Sequence, residues 1–177
     1  MAVFTKLLKE DIENFISEYS IGNLNSFEEI VDGIENSNFK IFCNNQPYIL
    51  TIFEKRVTEQ ELPFFINLKN FLNKNNFKCP KAISDKNGKI LKRIKNKTAV
   101  IISFLEGKSI EKPNLAMCKE VGKMIANLHN LTSNFEEKRP NSLDLKDWKN
   151  IYKKCLNNKS EEFNETCLLY TSDAADE

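Results

Sequence analysis

Between Asp32 and Asn38 the chain reads DGIENSN, a glycine followed by short polar side chains. Gly33 tolerates positive φ and lets backbone approach a ligand closely. Successive N–H groups in such a turn can face an anion such as phosphate. An ordinary turn entering a hairpin uses the same glycine, so the neighbouring elements decide between the two. Other chemistry-bearing residues are scattered. His129 is the sole histidine. It closes a helical pattern beside Leu128 and reads as a packed or capping residue rather than a base. No carboxylates are spaced to complete a metal site with it. Cys43, Cys79, Cys118, Cys155 and Cys167 are widely separated, odd in number and free of any Cys-x-x-Cys pair. They read as buried thiols in a reducing compartment, not as a disulfide framework or zinc site. Glu35 reads as solvent-facing on the loop, and Glu61 as compensation for a helix dipole. The run KRIKNK, Lys92 to Lys97, reads as a solvated turn, because no aromatic residues interleave for base stacking.

The positioning elements come next. The 177 residues carry 26 basic and 25 acidic side chains, a net charge of +1, and 41% are hydrophobic. A core is affordable by composition, and no global field draws the chain to nucleic acid or a membrane surface. There is no signal-like apolar stretch at the N-terminus and no uninterrupted apolar run long enough to span a bilayer. A cytoplasmic protein without nucleic-acid or membrane partners is expected.

From Thr5 to Tyr19 the positions Leu8, Ile12, Phe15, Ile16 and Tyr19 recur at helical spacing, with Gly22 placed as a C-cap. Leu24 to Val31 predicts a strand. Phe39, Ile41 and Cys43 alternate with Lys40 and Phe42, Asn44 to Pro47 is turn chemistry, and Tyr48 to Phe53 is β-rich, so a hairpin follows the Gly33 loop. A helix is predicted from about Glu59 to Asn73, with Pro63 in its first turn. Pro80 to Ile83 is extended. Asn87-Gly88 predicts a tight hairpin turn, leading to strands Lys89–Ile94 and Ala99–Phe104. Asn114 is an N-cap for a helix carrying Met117, Val121, Met124 and Leu128 on one face. Asp144 to Leu156 predicts a last helix with Trp148, Ile151 and Tyr152 as its apolar face. Strands followed by helices give an α+β class, not a Rossmann alternation.

With these elements in place, the chain resembles the homoserine kinases of the aminoglycoside phosphotransferase/choline kinase group, a branch of the protein-kinase-like fold. The segments carrying the likeness are VFTKLLKEDIENFISEY, GIENSNF, YILTIFEKR, ELPFFINLKNFLN with KCPKAI, VIISFLEGKSI and EVGKMIANLHNL. They span Val3 to about Leu156. The resemblance implies an antiparallel-sheet lobe at residues 1–104, then a hinge and the first helices of an incomplete helical lobe at 105–166. It implies ATP and Mg2+ as cofactors and homoserine as phosphoryl acceptor, in threonine biosynthesis. Gly33, Ile34, Glu35, Asn36, Ser37 and Asn38 would form the flap over the ATP phosphates. Thr51 would stand where many relatives carry a lysine or arginine. Ser103 would lead into the hinge, and the backbone at Phe104 and Leu105 would hydrogen-bond adenine.

Two departures accompany the likeness. Thr51 is not a cation, and the nearest, Lys55 and Arg56, lie past the strand end. The family's His-Gly-Asp loop with its following Asn, and its later metal-binding Asp, are absent from the sequence, so catalytic and metal residues are expected downstream of a truncation. Residues 167–177, CLLYTSDAADE, resemble a translated sequencing adapter. Two alternatives remain open at this level: a related kinase acting on an aminoglycoside, choline or another amino alcohol, and a non-catalytic nucleotide-binding module.

Overall fold

The computed structural model describes residues 4–32, 35–54, 57–141 and 144–156. The two-residue alternation of apolar side chains becomes a sheet. β1 (Leu24–Ile30), β2 (Ser37–Cys43) and β3 (Gln46–Ile52) form an antiparallel meander. β6 (Lys97–Ser103) pairs antiparallel with β3 on one edge. Its other edge is shared by β4 (Ala82–Ile83) and β5 (Lys92–Ile94). Two turns are built by left-handed residue pairs, Asn44 (φ 47) with Asn45 (φ 63) and Lys95 (φ 48) with Asn96 (φ 62). Such pairs match the twist of the strands they join.

The expected hairpin at Asn87-Gly88 is corrected. Gly88 does turn, at φ 80, and its N–H donates to the Asp85 carbonyl at 3.0 Å. The strands on either side do not pair with each other: Ala82 and Ile83 face Ile102 and Ile101, while Lys92 faces Ala99. A local turn signal cannot say which of two neighbours a later strand will choose.

Ile12, Phe15 and Ile16 of α1 (Lys9–Ile16) bury against Phe39, Ile41, Cys43, Leu50, Ile52, Ala99 and Ile101. Phe39, Ile41, Leu50, Ile52 and Ile101 are 0% exposed. Each such side chain contributes about 1.5–3 kcal/mol by leaving water. Leu8 was expected inside but is 69% exposed, because it precedes the first turn, and Leu7 takes the inward place. Gly22 does not cap α1, whose C-cap is Ser17. It takes φ 91 in the turn before β1, against Asn44, and a Cβ there would run into the Asn44 carboxamide. Gly22→Ala is expected to cost about 1–2 kcal/mol, the cost of a side chain in a left-handed position. A urea melt with an unmoved midpoint would contradict that.

Beyond the end of α1, the Asp85 carboxylate accepts from the backbone N–H groups of Asn87 at 2.9 Å and Lys89 at 2.7 Å. Lys92 donates to it at 2.9 Å and also to Glu18. The Lys92 hydrogen bond holds the Asp85 carboxyl below the usual range, and both carboxylates raise the Lys92 ammonium. Burial pushes the neighbouring Tyr19 phenol up to about 12. Lys92 is thus an anchor for the helix end rather than part of a solvated turn.

α2 (Leu62–Lys74) begins three residues later than its periodicity suggests. The Glu61 carboxylate accepts from the backbone N–H and the hydroxyl of Thr58, at 3.0 and 2.9 Å, and closes a turn of its own. α2 buries Leu62, Ile66 and Leu72. α3 (Leu115–Thr132) is capped as expected, Asn114 accepting from the Met117 N–H at 2.9 Å. Its apolar stripe is open: Val121 and Met124 are each 57% exposed. His129 is exposed in its last turn, not packed. After α3, Phe135 returns to α2, 5.7 Å from the Phe64 ring and 5.3 Å from that of Phe71.

The chain divides into two compact units, residues 1–138 and 139–177. Everything above belongs to the first. In the second, α4 (Leu145–Leu156) carries Trp148, Ile151 and Tyr152. No helix of the described residues is long and apolar enough to cross a membrane.

Candidate functional site

Alternation gives the sheet two faces. One is the α1 core. The other carries three rows set by the pairing register. At the loop end, Ile30, Asn38, Thr51 and Val100 stand side by side. Glu28, Lys40, Ile49 and Ile102 form the middle row. At the far end Phe42 faces Pro47, and Phe104 follows the last residue of β6. Ile49, Ile102 and Phe104 are half-buried, so this face is an apolar shelf open to solvent on one side.

The loop-end row is polar and braced. The Thr51 hydroxyl donates to Asn38 Oδ1 at 2.8 Å, and Asn38 Nδ2 donates at 3.4 Å to the Asn36 carbonyl. Thr51 therefore does structural work where a cation was anticipated: it fixes the amide that holds the end of the loop. At the opposite end Lys40 leans away from this row. Its ammonium lies 4.4 Å from the centroid of Phe104 and 5.0 Å from that of Phe42. Glu28 stands across the strand pair from Lys40, yet no ion pair among the described residues includes it.

Several residues singled out in the sequence take other places. Gly33 and Ile34 lie outside the described residues, as do Lys55 and Arg56. Glu35 and Asn36 lead into β2. Ser37 is fully buried on the core face. Its hydroxyl oxygen accepts from the N–H groups of Phe4 at 2.9 Å and Thr5 at 3.0 Å and donates to Glu54 Oε1 at 2.5 Å. Thr5 donates to the same carboxylate at 2.7 Å, and Lys97 pairs with its other oxygen. The Glu54 side chain is only 3% exposed. Burial pushes its carboxyl up, but the hydrogen bonds from Lys97, Ser37 and Thr5 outweigh this and hold it below its ordinary value. This knot binds the chain before α1, the start of β2 and the exit of β3 into one unit. Ser103 is held to Lys81 by a pair of bonds, its N–H donating at 2.8 Å and its Oγ accepting at 2.9 Å. Leu105 is 39% exposed just past the strand.

A cleft of about 160 Å³ opens beside Glu54 and Lys97, lined also by Phe53, Leu62 and Thr98. It is smaller than the ~300 Å³ at which ligand sites usually begin. The shelf is the better candidate. It offers stacking surface, a braced polar row and one unpaired cation. Among the described residues, no group of three or more His, Cys, Asp or Glu is placed to hold a metal. Lys40, Glu54 and Lys97 were not singled out for the site by sequence. A lysine alternating with core residues reads as ordinary solvent-facing, and an ion pair 43 positions apart leaves no local pattern.

A model of the phosphotransferase enzyme family matches residues 26–172. The homoserine kinase of Agrobacterium fabrum (strain C58) is 40% identical over 154 residues, covering 87% of this chain and 48% of that protein. The homoserine kinase of Bartonella henselae is 40% identical over 155 residues, 88% of this chain and 49% of its own length. The chain spans about half the length of these curated relatives. Among solved structures, a spectinomycin phosphotransferase in complex with ADP and spectinomycin superposes with a TM-score of 0.58 at 11% identity, over 72% of this chain and 39% of that one. At that identity the likeness is one of fold: an α+β, protein-kinase-like arrangement of antiparallel sheet and helices.

Proposed function

The chain belongs to the phosphotransferase enzyme family, and from that premise we propose that it supplies the nucleotide-holding half of a cytoplasmic kinase that phosphorylates the hydroxyl of homoserine with ATP. The observation that carries this reading is the 40% identity to homoserine kinases, sustained over 87% of the chain. In this reading residues 1–104 are the nucleotide lobe. The base lies on the Ile49–Ile102–Phe104 shelf, and the backbone at Phe104 and Leu105 meets its edge. The Asn38–Thr51 clamp steadies residues 36–38 at the edge where the phosphates would lie. Transfer of this kind rests on positioning and on electrostatic stabilisation of the moving phosphoryl group. Magnesium bound with ATP would supply part of that stabilisation. The described residues offer no carboxylate cluster for it.

The test joins this chain to the second half of the Agrobacterium relative and follows ADP release with homoserine, choline and spectinomycin as acceptors. Homoserine is expected to be preferred in kcat/KM by at least ~10⁴-fold, the discrimination a site built to hydrogen-bond its substrate attains. The chain alone is expected to bind ATP without turning it over. Equal use of the three acceptors by a folded chimera would refute the substrate assignment.

A further inference from the structure

Phe104 is the last half-buried residue before an exposed connector, residues 105–114, that leads to α3. The register of β6 against β3 ends one residue earlier, at Ser103 and Tyr48. A contact to the Phe104 side chain comes from two strands away. β3 stands between β2 and β6, yet the Lys40 ammonium of β2 lies 4.4 Å from the centroid of the Phe104 ring and 5.0 Å from that of Phe42. Glu28, of opposite charge, faces Lys40 across the β1–β2 pair. It is exposed, and an exposed ion pair gains little against water. The two ring faces attract the cation as well, and both rings are half-buried. β2 is in register with β1 on one side and β3 on the other, so Lys40 projects from an interior strand.

Resting on the nucleotide-site reading, we infer that Lys40 is a positioning residue: it fixes Phe104, and through Phe104 the backbone of residues 104–105 that meets the edge of the base. Hydrogen bonds to that edge weaken steeply as their distance and angle drift. Ser103 is tied to Lys81 just before this point. Phe104 is tied through its ring, and the ammonium is the tie. In this role Lys40 acts on the nucleotide without touching base or phosphate. It stands one row from Asn38 and Thr51, and its ammonium is drawn toward the opposite end of the face. Loss of the charge therefore weakens every ligand that carries the base, by one common factor, whatever its number of phosphates.

The experiment uses the full 177-residue chain and displacement of a fluorescent N-methylanthraniloyl-ADP probe by ATP, ADP and adenosine. Lys40→Met keeps the stem and removes the charge. It is expected to raise all three dissociation constants by about fivefold, the fold-change that a partly exposed cation–ring contact can carry. Lys40→Gln, a second neutral variant, should do the same. Lys40→Arg, which keeps a cation over the rings, should retain wild-type affinity. Phe104→Leu should lose at least as much, and adding Lys40→Met to it should cost nothing further, because both act through one contact. Melts of every variant report folding separately. A loss that grows with the number of phosphates, or unchanged affinities in the folded neutral variants, overturns this inference alone. Failure of wild type to bind any of the three ligands overturns the nucleotide-site reading, and this inference with it.

Discussion

Phe39→Ala is expected to destabilise the first unit by about 3–5 kcal/mol, the usual loss when a buried phenylalanine leaves a cavity. Phe39 is 0% exposed and its ring lies 6.4 Å from that of Phe27. A domain of this size is stable by about 5–15 kcal/mol in total, so the variant would sit near its unfolding midpoint in modest urea. Phe39→Leu, which retains most of the volume, is expected to lose under about 1.5 kcal/mol. The residue also touches function through the backbone. Its neighbours in β2, Asn38 and Lys40, face the opposite side and belong to the candidate site. ATP at about 100 times its Kd should return about 2.7 kcal/mol to the alanine variant, because ligand binds only the folded sheet. A loss under 1 kcal/mol in urea melts would mean that Phe39 is not the centre of this core.

The second large effect is expected at Lys97. Lys97→Met leaves the Glu54 carboxylate buried with only the Ser37 and Thr5 hydroxyls on it. The cost at pH 7 is expected to be about 2–3 kcal/mol, below that of a fully buried pair because the Lys97 side chain is itself 39% exposed. The pH dependence separates this from a packing defect. In wild type the Glu54 carboxyl is held below its ordinary value of 4.5. Its contribution is therefore present above about pH 4.5 and disappears as pH falls through the lower folded value. Without Lys97, only the Ser37 and Thr5 hydroxyls oppose burial, so the folded carboxyl shifts upward relative to wild type. The variant then loses part or all of the stability that Glu54 gives wild type above pH 4.5. The gap between wild type and variant should be full near neutrality and close only on acidification below about pH 4.5, as wild-type Glu54 protonates at its lower folded value. Equilibrium unfolding at several pH values decides it: a gap independent of pH would remove the charge from the explanation.

Local patterning carried the sheet a long way. Phe39, Ile41 and Cys43 are buried in alternation as their spacing requires, and Asn44-Asn45 turns the chain because both residues accept positive φ. Asn114 caps α3 as its type suggests. What escaped was decided by distant partners. Leu7 and Leu8 are equally apolar, and only the direction of entry into α1 sends the first inward. The pairing of β4 and β5 with the same edge of β6 depends on a strand that has not yet appeared when either is read. At the candidate site, the sequence shows that Thr51 carries no charge. Its actual role required knowing that Asn38 lies directly across the strand. Alternation sets Lys40 on the face opposite Phe39 and Ile41, which holds, and is silent about the two rings beside it.

β6 touches β3, β4 and β5, and so no part of the sheet beyond the β1–β3 meander closes without it. Tyr48 pairs with Ile41 inside the meander, but its second neighbour, Ser103, arrives only with β6. During synthesis the meander can therefore form early, while one edge and part of the core wait for residues near 103 to leave the ribosome. Pairings this remote make folding slow relative to local hairpins. The shelf is subject to the same timing, since Val100, Ile102 and Phe104 all arrive with β6. On the proposed nucleotide-site reading, a nucleotide would meet no complete shelf on the nascent meander. It would act only as a latch on the finished sheet, slowing its opening without hastening its assembly.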